Sequence, residues 1–327
     1  MKYCGIDLHS NNSVVIVSDE EDRILLSKRL PNDLGQIGAV LEPYRDELAG
    51  VVVESTYNWC WRVDGLMDAG HQLHLAHPSA IKKYEGLKYS GDFADARYLA
   101  QLLRLGLLAE GYIYPREERG SRDLARKRMQ LVRLRVMQVL SIESIMTRQT
   151  GSTLKSHAVK RLTAQQVDDL GFAPDVALAL ESNRAVSQGL GEQIDAIEKR
   201  LEESVKLRSD YQLLKSMPGV GPILATTIML ETGSIGRFAQ VGNFSSYCRG
   251  VNSLRESNGK KKGEGNSSNG NKYLAWAFAE AASFAIRYCP QAKSFYERKK
   301  RKTNRVLAIK ALAHKLARAC YHMLREQ

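Results

Sequence analysis

The chain is predicted to begin with an α/β domain over residues 1–117 and to continue as helices, in two further regions at 118–209 and 210–327. Three observations carry that prediction. Short runs of β-branched and aliphatic residues crowd the first 76 positions. One of them, AGVVVES (49–55), is a nearly continuous apolar run, as a central strand covered on both faces requires. From about residue 118 the apolar period lengthens from two to three or four.

The elements follow in order. KYCGIDL (2–8), SVVIVS (13–18) and RILLSKR (23–29) are separated by the polar turns His9–Asn12 and Asp19–Asp22, and read as three consecutive antiparallel strands. A helix is predicted over 32–47 from Leu34, Ile37, Val40, Leu41 and Tyr44. The strand at 49–55 follows, then a helix at 58–69, a fifth strand at 71–76 (HQLHLA) and a helix at 91–107. Three strands followed by alternating helix and strand is the order of a ribonuclease-H-like α/β domain.

In the next region Leu124, Leu131, Val139, Ile142 and Ile145 mark one face of a long helix, with Arg122, Arg126, Lys127, Arg128, Arg133 and Arg135 elsewhere on it. Asp123 and Glu143 are its only acids between 121 and 148, which points to nucleic-acid contact, with Arg126, Lys127 and Arg133 as candidates. Leu190, Ile194, Ile197, Leu201 and Val205 recur at steps of four and three, a short coiled-coil-like seam expected to hold a dimer. The bland alternative is that they pack against the 121–148 helix of the same chain. In the third region PGVGPILA (218–225) reads as a helix–hairpin–helix turn in which Gly219 and Gly221 allow positive φ. Phe238, Phe244 and Tyr247 read as core. A final helix at 303–325 carries Val306, Ile309, Ala313, Leu316, Cys320 and Met323 as its buried stripe, and ERKKRKTNR (297–305) ahead of it offers Lys299, Lys300 and Arg301 to phosphate.

The balance of 48 basic against 36 acidic residues, a formal charge of +12, favours a polyanionic partner. No apolar run approaches the roughly 20 residues of a membrane span, and MKYCGIDLHS lacks a signal-peptide core, so a cytoplasmic protein is expected. Five scattered cysteines without CxxC spacing argue against disulfides and structural zinc, and the seven histidines form no ligand pair at helical spacing.

Four carboxylates stand where a nuclease-type metal site needs them. Asp7 lies in the first strand, Glu54 ends the fourth, and Asp92 and Asp95 share one face at the start of a helix. Singly, each has an ordinary reading as a cap, a first-turn acid or a surface ion pair. Together they fit two Mg2+ ions about 4 Å apart, which assist both attacking and leaving oxygens in phosphoryl transfer. Hard carboxylate oxygens suit that ion.

GIDLHS, VVVEST and GDFADARYLA resemble the three motifs of the DEDD transposases of bacterial insertion sequences, which include the Piv-type DNA invertases. LLKSMPGVGPILATTIMLETGSIGRFAQVGNFSSYCRG (213–250) is similar to their second conserved domain, and RESNGKKKGEGNSSNGNKYL (255–274) to their serine-bearing loop. The resemblance implies a RuvC-like N-terminal fold and Mg2+ bound by Asp7, Glu54, Asp92 and Asp95. It also implies a serine nucleophile, matched by Ser257, that forms a phosphoserine with DNA. Asn258 and Gly259 follow where the family has one glycine, so Ser267 and Ser268 stay in play. Donor and target DNA, a guide RNA encoded by the element, and homodimers pairing into tetramers are implied as partners. The nucleophile and the acids that complete a site then come from different subunits.

Read without the family, 255–274 is a flexible linker whose Lys260, Lys261 and Lys262 approach phosphate. The nearest rival function is a metal-dependent, structure-specific nuclease of the Holliday-junction-resolvase kind, with water as nucleophile. An actin-like ATPase would need a later Asp-Gly-rich phosphate loop, which 150–240 does not offer. A silent nucleic-acid scaffold leaves the grouped acids unexplained.

Overall fold

Strand β1 (Lys2–Leu8) runs between its neighbours in a five-stranded sheet with β2 (Asn12–Asp19), β3 (Ile24–Pro31), β4 (Leu48–Glu54) and β5 (Leu73–Ala76). The order is β3-β2-β1-β4-β5. β1, β2 and β3 pair antiparallel, whereas β4 lies parallel to β1 and β5 parallel to β4. The computed structural model describes all residues except 82–90, 252, 254, 264–268 and 327. They form two units, Met1–Arg116 and Glu117–Gln327.

Alternation along each strand assigns the two faces of the sheet. Cys4, Ile6, Val15, Val17, Val51 and Val53 pack with Ile37 and Leu41 of helix α1 (Leu34–Leu41) and with Val63 and Leu66 of helix α2 (Cys60–Asp68). The intervening Val14, Ile16 and Val52 pack with Ala96 and Leu99 of helix α3 (Asp92–Arg104). Cover on both faces is why Val51–Val53 read as an unbroken apolar run. α1 starts where the Asp33 carboxylate accepts the Gln36 N–H, and a 3-10 segment, Glu42–Glu47, fills the rest of the helix expected at 32–47. β3 is the exposed edge and carries Lys28 and Arg29, charges that discourage further strand pairing.

The second unit is helical apart from one small hairpin among its described residues. Helix α4 (Arg116–Thr150), which begins on the last residue of the first unit, is followed by the short α5 (Ser156–Val159) and α6 (Ala164–Asp168) and by the long α7 (Pro174–Val205). Val139, Ile142, Ile145 and Met146 of α4 pack with Val159, Val167 and Leu180. Arg128 pairs with Glu198, and Asn183 donates to Ser141. The expected dimer seam is largely used inside the chain: Leu201 and Val205 join the core of the following helices, Ile197 packs on it, and Ile194 is buried.

That core is built by α8 (Ser209–Lys215), α9 (Pro222–Thr232), α10 (Val241–Tyr247), α11 (Lys272–Tyr288), α12 (Pro290–Lys302) and α13 (Arg305–Arg325), with the hairpin β6 (Arg255–Ser257) and β7 (Lys260–Gly263) between α10 and α11. Phe238 and Phe244 are buried in it, and Tyr247 packs against it, as expected. In the α8–α9 turn Gly219 has φ +82°, and a Cβ there would lie 2.6 Å from the Ala285 amide nitrogen of α11. Gly221, contrary to expectation, is extended at the start of α9 with φ −90°. The expected stripe of α13 faces the core except at Val306, which is exposed: Leu316 and Cys320 are buried, Ile309, Ala313 and Met323 pack against the core, and Ala308, Leu312, Ala317 and Tyr321 are buried beside them. All five cysteines are free, and no helix among the described residues is long and apolar enough to cross a membrane.

Candidate active site and nucleic-acid-binding residues

Strand parity puts the first two acids on one face. Asp7 shares its side of β1 with Gly5, and Glu54 shares its side of β4 with Val52, the side that α3 covers. The parallel register pairs Ile6 with Val53, so Asp7 and Glu54 are level one step further on. Gly5 brings α3 to that point, because a Cβ there would overlap the Ala96 carbonyl oxygen and lie 2.8 Å from the Ala100 amide nitrogen. Asp92 and Asp95 occupy the first turn of α3, which starts at this end.

Asp7 is only 4% exposed, and its carboxyl group is hydrogen-bonded with that of Glu54. Burial pushes the Asp7 pKa above its ordinary value. His9 and the Glu54 hydrogen bond oppose that push, and the charges of Asp95 and Asp92 add to it. Asp7 therefore senses all three other acids. Asp92 is held below its ordinary value chiefly by Arg29 of β3, whose Nη2 donates to Asp92 Oδ2 at 2.6 Å.

Sequence reasoning passed over His9, although it stands inside GIDLHS. Its Nε2 lies 3.2 Å from Asp7 Oδ2 and 3.3 Å from Asp92 Oδ2. Those are ion-pair distances, but the angles make no hydrogen bond, and Nε2 is buried without one. One donor atom from each of Asp7, His9 and Asp92 falls within 4.8 Å of the others. Two carboxylates and an orphaned imidazole nitrogen form a donor set that fits a divalent cation.

The candidate nucleophile lies in the second unit. Ser257 ends β6 opposite Lys260, and the residues between them, Asn258 at φ +52° and Gly259 at φ +67°, form a tight turn of left-handed residues. Asn-Gly is the pair such a hairpin turn selects, so its departure from the family's single glycine makes a hairpin tip. The expectation of a flexible linker is thereby corrected for 255–263. Ser257 and Lys260 to Lys262 are exposed. Strand alternation groups Lys260 and Lys262 with Ser257, and Lys261 with Glu256 on the other face. Ser267 and Ser268 lie outside the described residues.

Two family profiles match the chain. One, described as "Transposase" and carrying the DEDD signature of the IS110 group, covers residues 4–149, and the other, "Transposase IS116/IS110/IS902 family", covers residues 211–297. This chain is an insertion-sequence transposase of the IS110/IS116 family. Among its relatives are the transposase for insertion sequence element IS1328 of Yersinia enterocolitica, 25% identical over 85% of this chain and 82% of the relative. Another is a probable family 20 transposase of Pseudomonas aeruginosa, 24% identical over 79% of each chain.

As a transposase it acts on DNA, and the charges of α4 divide unexpectedly between fold and surface. Arg126, expected to bind nucleic acid, is committed to the fold. Its Nε and Nη2 donate to the two carboxylate oxygens of Glu231 at 2.5 and 2.8 Å, and Arg122 Nη2 lies 3.0 Å from the same group. Glu231, on α9, is 1% exposed and also accepts from Asn271 Nδ2 at 2.7 Å. Asn271 in turn caps α11 at the end of the serine-bearing segment. The basic surplus of α4 hid this pairing because the balancing acid lies far along the chain. Lys127 and Arg133 remain exposed, as do Lys299, Lys300 and Arg301 in the last turn of α12.

Proposed function

We propose that this transposase is an RNA-guided DNA recombinase that cuts and rejoins strands through a serine–DNA ester. In this reading the first unit is a ribonuclease-H-like, RuvC-like domain, and Asp7, Glu54, Asp92 and Asp95 hold Mg2+ in it. The observation that carries the reading is the grouping of Glu54, Asp92 and Asp95 around the buried Asp7. Like charges gathered at one end of a sheet are costly without a cation to offset them. When bound, two Mg2+ ions neutralise charge on the scissile phosphate and on the leaving oxygen.

The chain's own residues do the rest. The Ser257 hydroxyl attacks a backbone phosphorus, forming a P–O bond to serine as the P–O3′ bond breaks. The hydroxyl proton is given up, and one proton ends on the released 3′ oxygen. The ester conserves the energy of the cut bond, so a 3′-hydroxyl from another strand can reverse the step and complete an exchange. Lys260 and Lys262, on the serine's side of the hairpin, hold the phosphate, and Lys261 serves the neighbouring backbone.

Lys127, Arg133, Lys299, Lys300 and Arg301 are assigned to the phosphates of donor and target DNA and of an element-encoded RNA, in keeping with the charge of +12. The homodimer, which pairs into a tetramer, is assigned to the exposed apolar residues Val136, Met137 and Leu140 of α4, since the α7 seam is largely occupied. A cytoplasmic reaction at the nucleoid completes the reading, with a domain boundary near residue 209 inside the second unit.

The test is to trap the reaction on labelled DNA in Mg2+ and locate the DNA-bearing peptide by mass spectrometry. A 5′-phosphoserine at Ser257, lost in Ser257→Ala and in Asp7→Asn, is expected. If Ser257→Ala still forms an adduct, the nucleophile is another serine. Cleavage without any adduct would establish water as nucleophile, as in a junction resolvase.

A further inference from the structure

We propose that His9 is a metal ligand, so that the ion nearest Asp7 and Asp92 is held by two carboxylates and one imidazole nitrogen. The inference rests on the reading of Asp7 and Asp92 as ligands and adds to it a donor from outside the four acids.

Geometry is the first support. Neighbouring ligands in an octahedral shell are separated by √2 times the bond length, about 3 Å for bonds of roughly 2.1 Å. His9 Nε2 stands 3.2 Å from Asp7 Oδ2 and 3.3 Å from Asp92 Oδ2. Both spacings are close to that of neighbouring donors on one cation, all three donor atoms lie within 4.8 Å of one another, and Nε2 forms no hydrogen bond with either oxygen. A buried nitrogen without a hydrogen bond is costly, and a cation bound by the three donors removes that cost.

The second support is how the turn is held. The His9 N–H donates to the Asn12 carbonyl at 3.0 Å, while the His9 carbonyl accepts from Asn32 Nδ2 at 3.0 Å and Asn58 Nδ2 at 3.2 Å. Asn32 Oδ1 accepts in turn from Ser13 Oγ at 2.7 Å and Arg62 Nη2 at 2.8 Å. Arg62 is wholly buried and also donates to Ser13. Residues of β2 and α2, together with Asn32 just after β3 and Asn58 just before α2, thus converge on one main-chain turn. Fixing a ligand through such outer contacts is what metal sites require. Arg29 competes for the same Asp92 oxygen from the exposed side, at 2.6 Å.

A nitrogen donor changes which ion is favoured. Mg2+ prefers an all-oxygen shell, and imidazole shifts preference toward Mn2+ and the later divalent metals. The full-length protein should bind Mn2+ more tightly than Mg2+, and His9→Ala should weaken Mn2+ about tenfold while leaving Mg2+ less affected.

The direct readout is pulsed electron paramagnetic resonance of the full chain loaded with Mn2+ alone. Coupling of the Mn2+ electron spin to 14N is expected, converting to the 15N pattern when histidine is 15N-labelled and disappearing in His9→Ala and His9→Gln. Circular dichroism checks that both variants are folded. If Mn2+ binds and Asp7→Asn abolishes binding, but the wild type shows no nitrogen coupling, the His9 assignment is overturned and the carboxylate site stands. Coupling that persists in both His9 variants overturns it equally. Should the wild type bind no Mn2+, the carboxylate reading fails along with it.

Discussion

Replacing Glu231 by Gln removes a buried negative charge that both Arg122 and Arg126 contact while preserving the shape of the side chain. The carboxylate is 1% exposed, and it also accepts from Asn271. Breaking a buried ion pair by removing one partner costs about 3–5 kcal/mol. Arg126 retains 30% exposure and can be partly rehydrated, so the lower end, about 3 kcal/mol, applies. For a unit of this size each kcal/mol moves the melting temperature by roughly 2–4 °C, giving a drop of about 6–12 °C for the second unit. Burial alone would raise the Glu231 pKa. The Arg126 hydrogen bond and the charges of Arg122 and Arg126 outweigh burial, and the folded value is lowered. A lowered folded value means that the stabilisation is complete above the unfolded carboxylate pKa, about 4.3, and is lost as pH falls through the folded one. Wild type and Glu231→Gln should therefore differ most near neutrality and converge in acid. Thermal melting followed by far-ultraviolet circular dichroism across that range is the assay. A neutral-pH melting point within about 1 °C of wild type, or a gap that widens in acid, would refute the reasoning.

Two other outcomes follow from the same geometry. Gly5→Ala should destabilise the first unit by about 1–3 kcal/mol and sharply reduce strand cleavage, because the methyl group pushes α3, with Asp92 and Asp95, off β1; denaturant unfolding and a cleavage assay read both effects. Lys127→Ala and Arg133→Ala should each lower the salt dependence of nucleic-acid binding by about one phosphate equivalent and leave melting unchanged, whereas Arg126→Ala should lower the melting temperature first; a binding titration over salt separates the two classes.

The order of strands and helices in the first 116 residues was legible because each is specified by its own period. Val51–Val53 announced a strand covered on both faces, and Asp92 with Asp95 announced a helix start. The grouping of the four acids was legible for a related reason: once β1 and β4 are neighbours, strand parity sends Asp7 and Glu54 to the same face. Ser257 was reached through resemblance, and its local setting through Asn258 and Gly259, whose backbone preference is intrinsic.

His9 and Arg126 show where such reading stops. A histidine in a turn and an arginine on a helix carry no mark of their partners. His9 meets Asp92 across 83 positions and Arg126 meets Glu231 across 105. Arg126 and Lys127 are adjacent on one helix and equally basic, yet one is tied to a buried carboxylate and the other is exposed. The sequence by itself determined the elements, their buried faces and the excess of positive charge, because these depend on local period and composition. Only the tertiary structure decided which charges are spent inside the fold and which nitrogen stands beside the acids, because desolvation and pairing depend on what lies within a few ångströms in space.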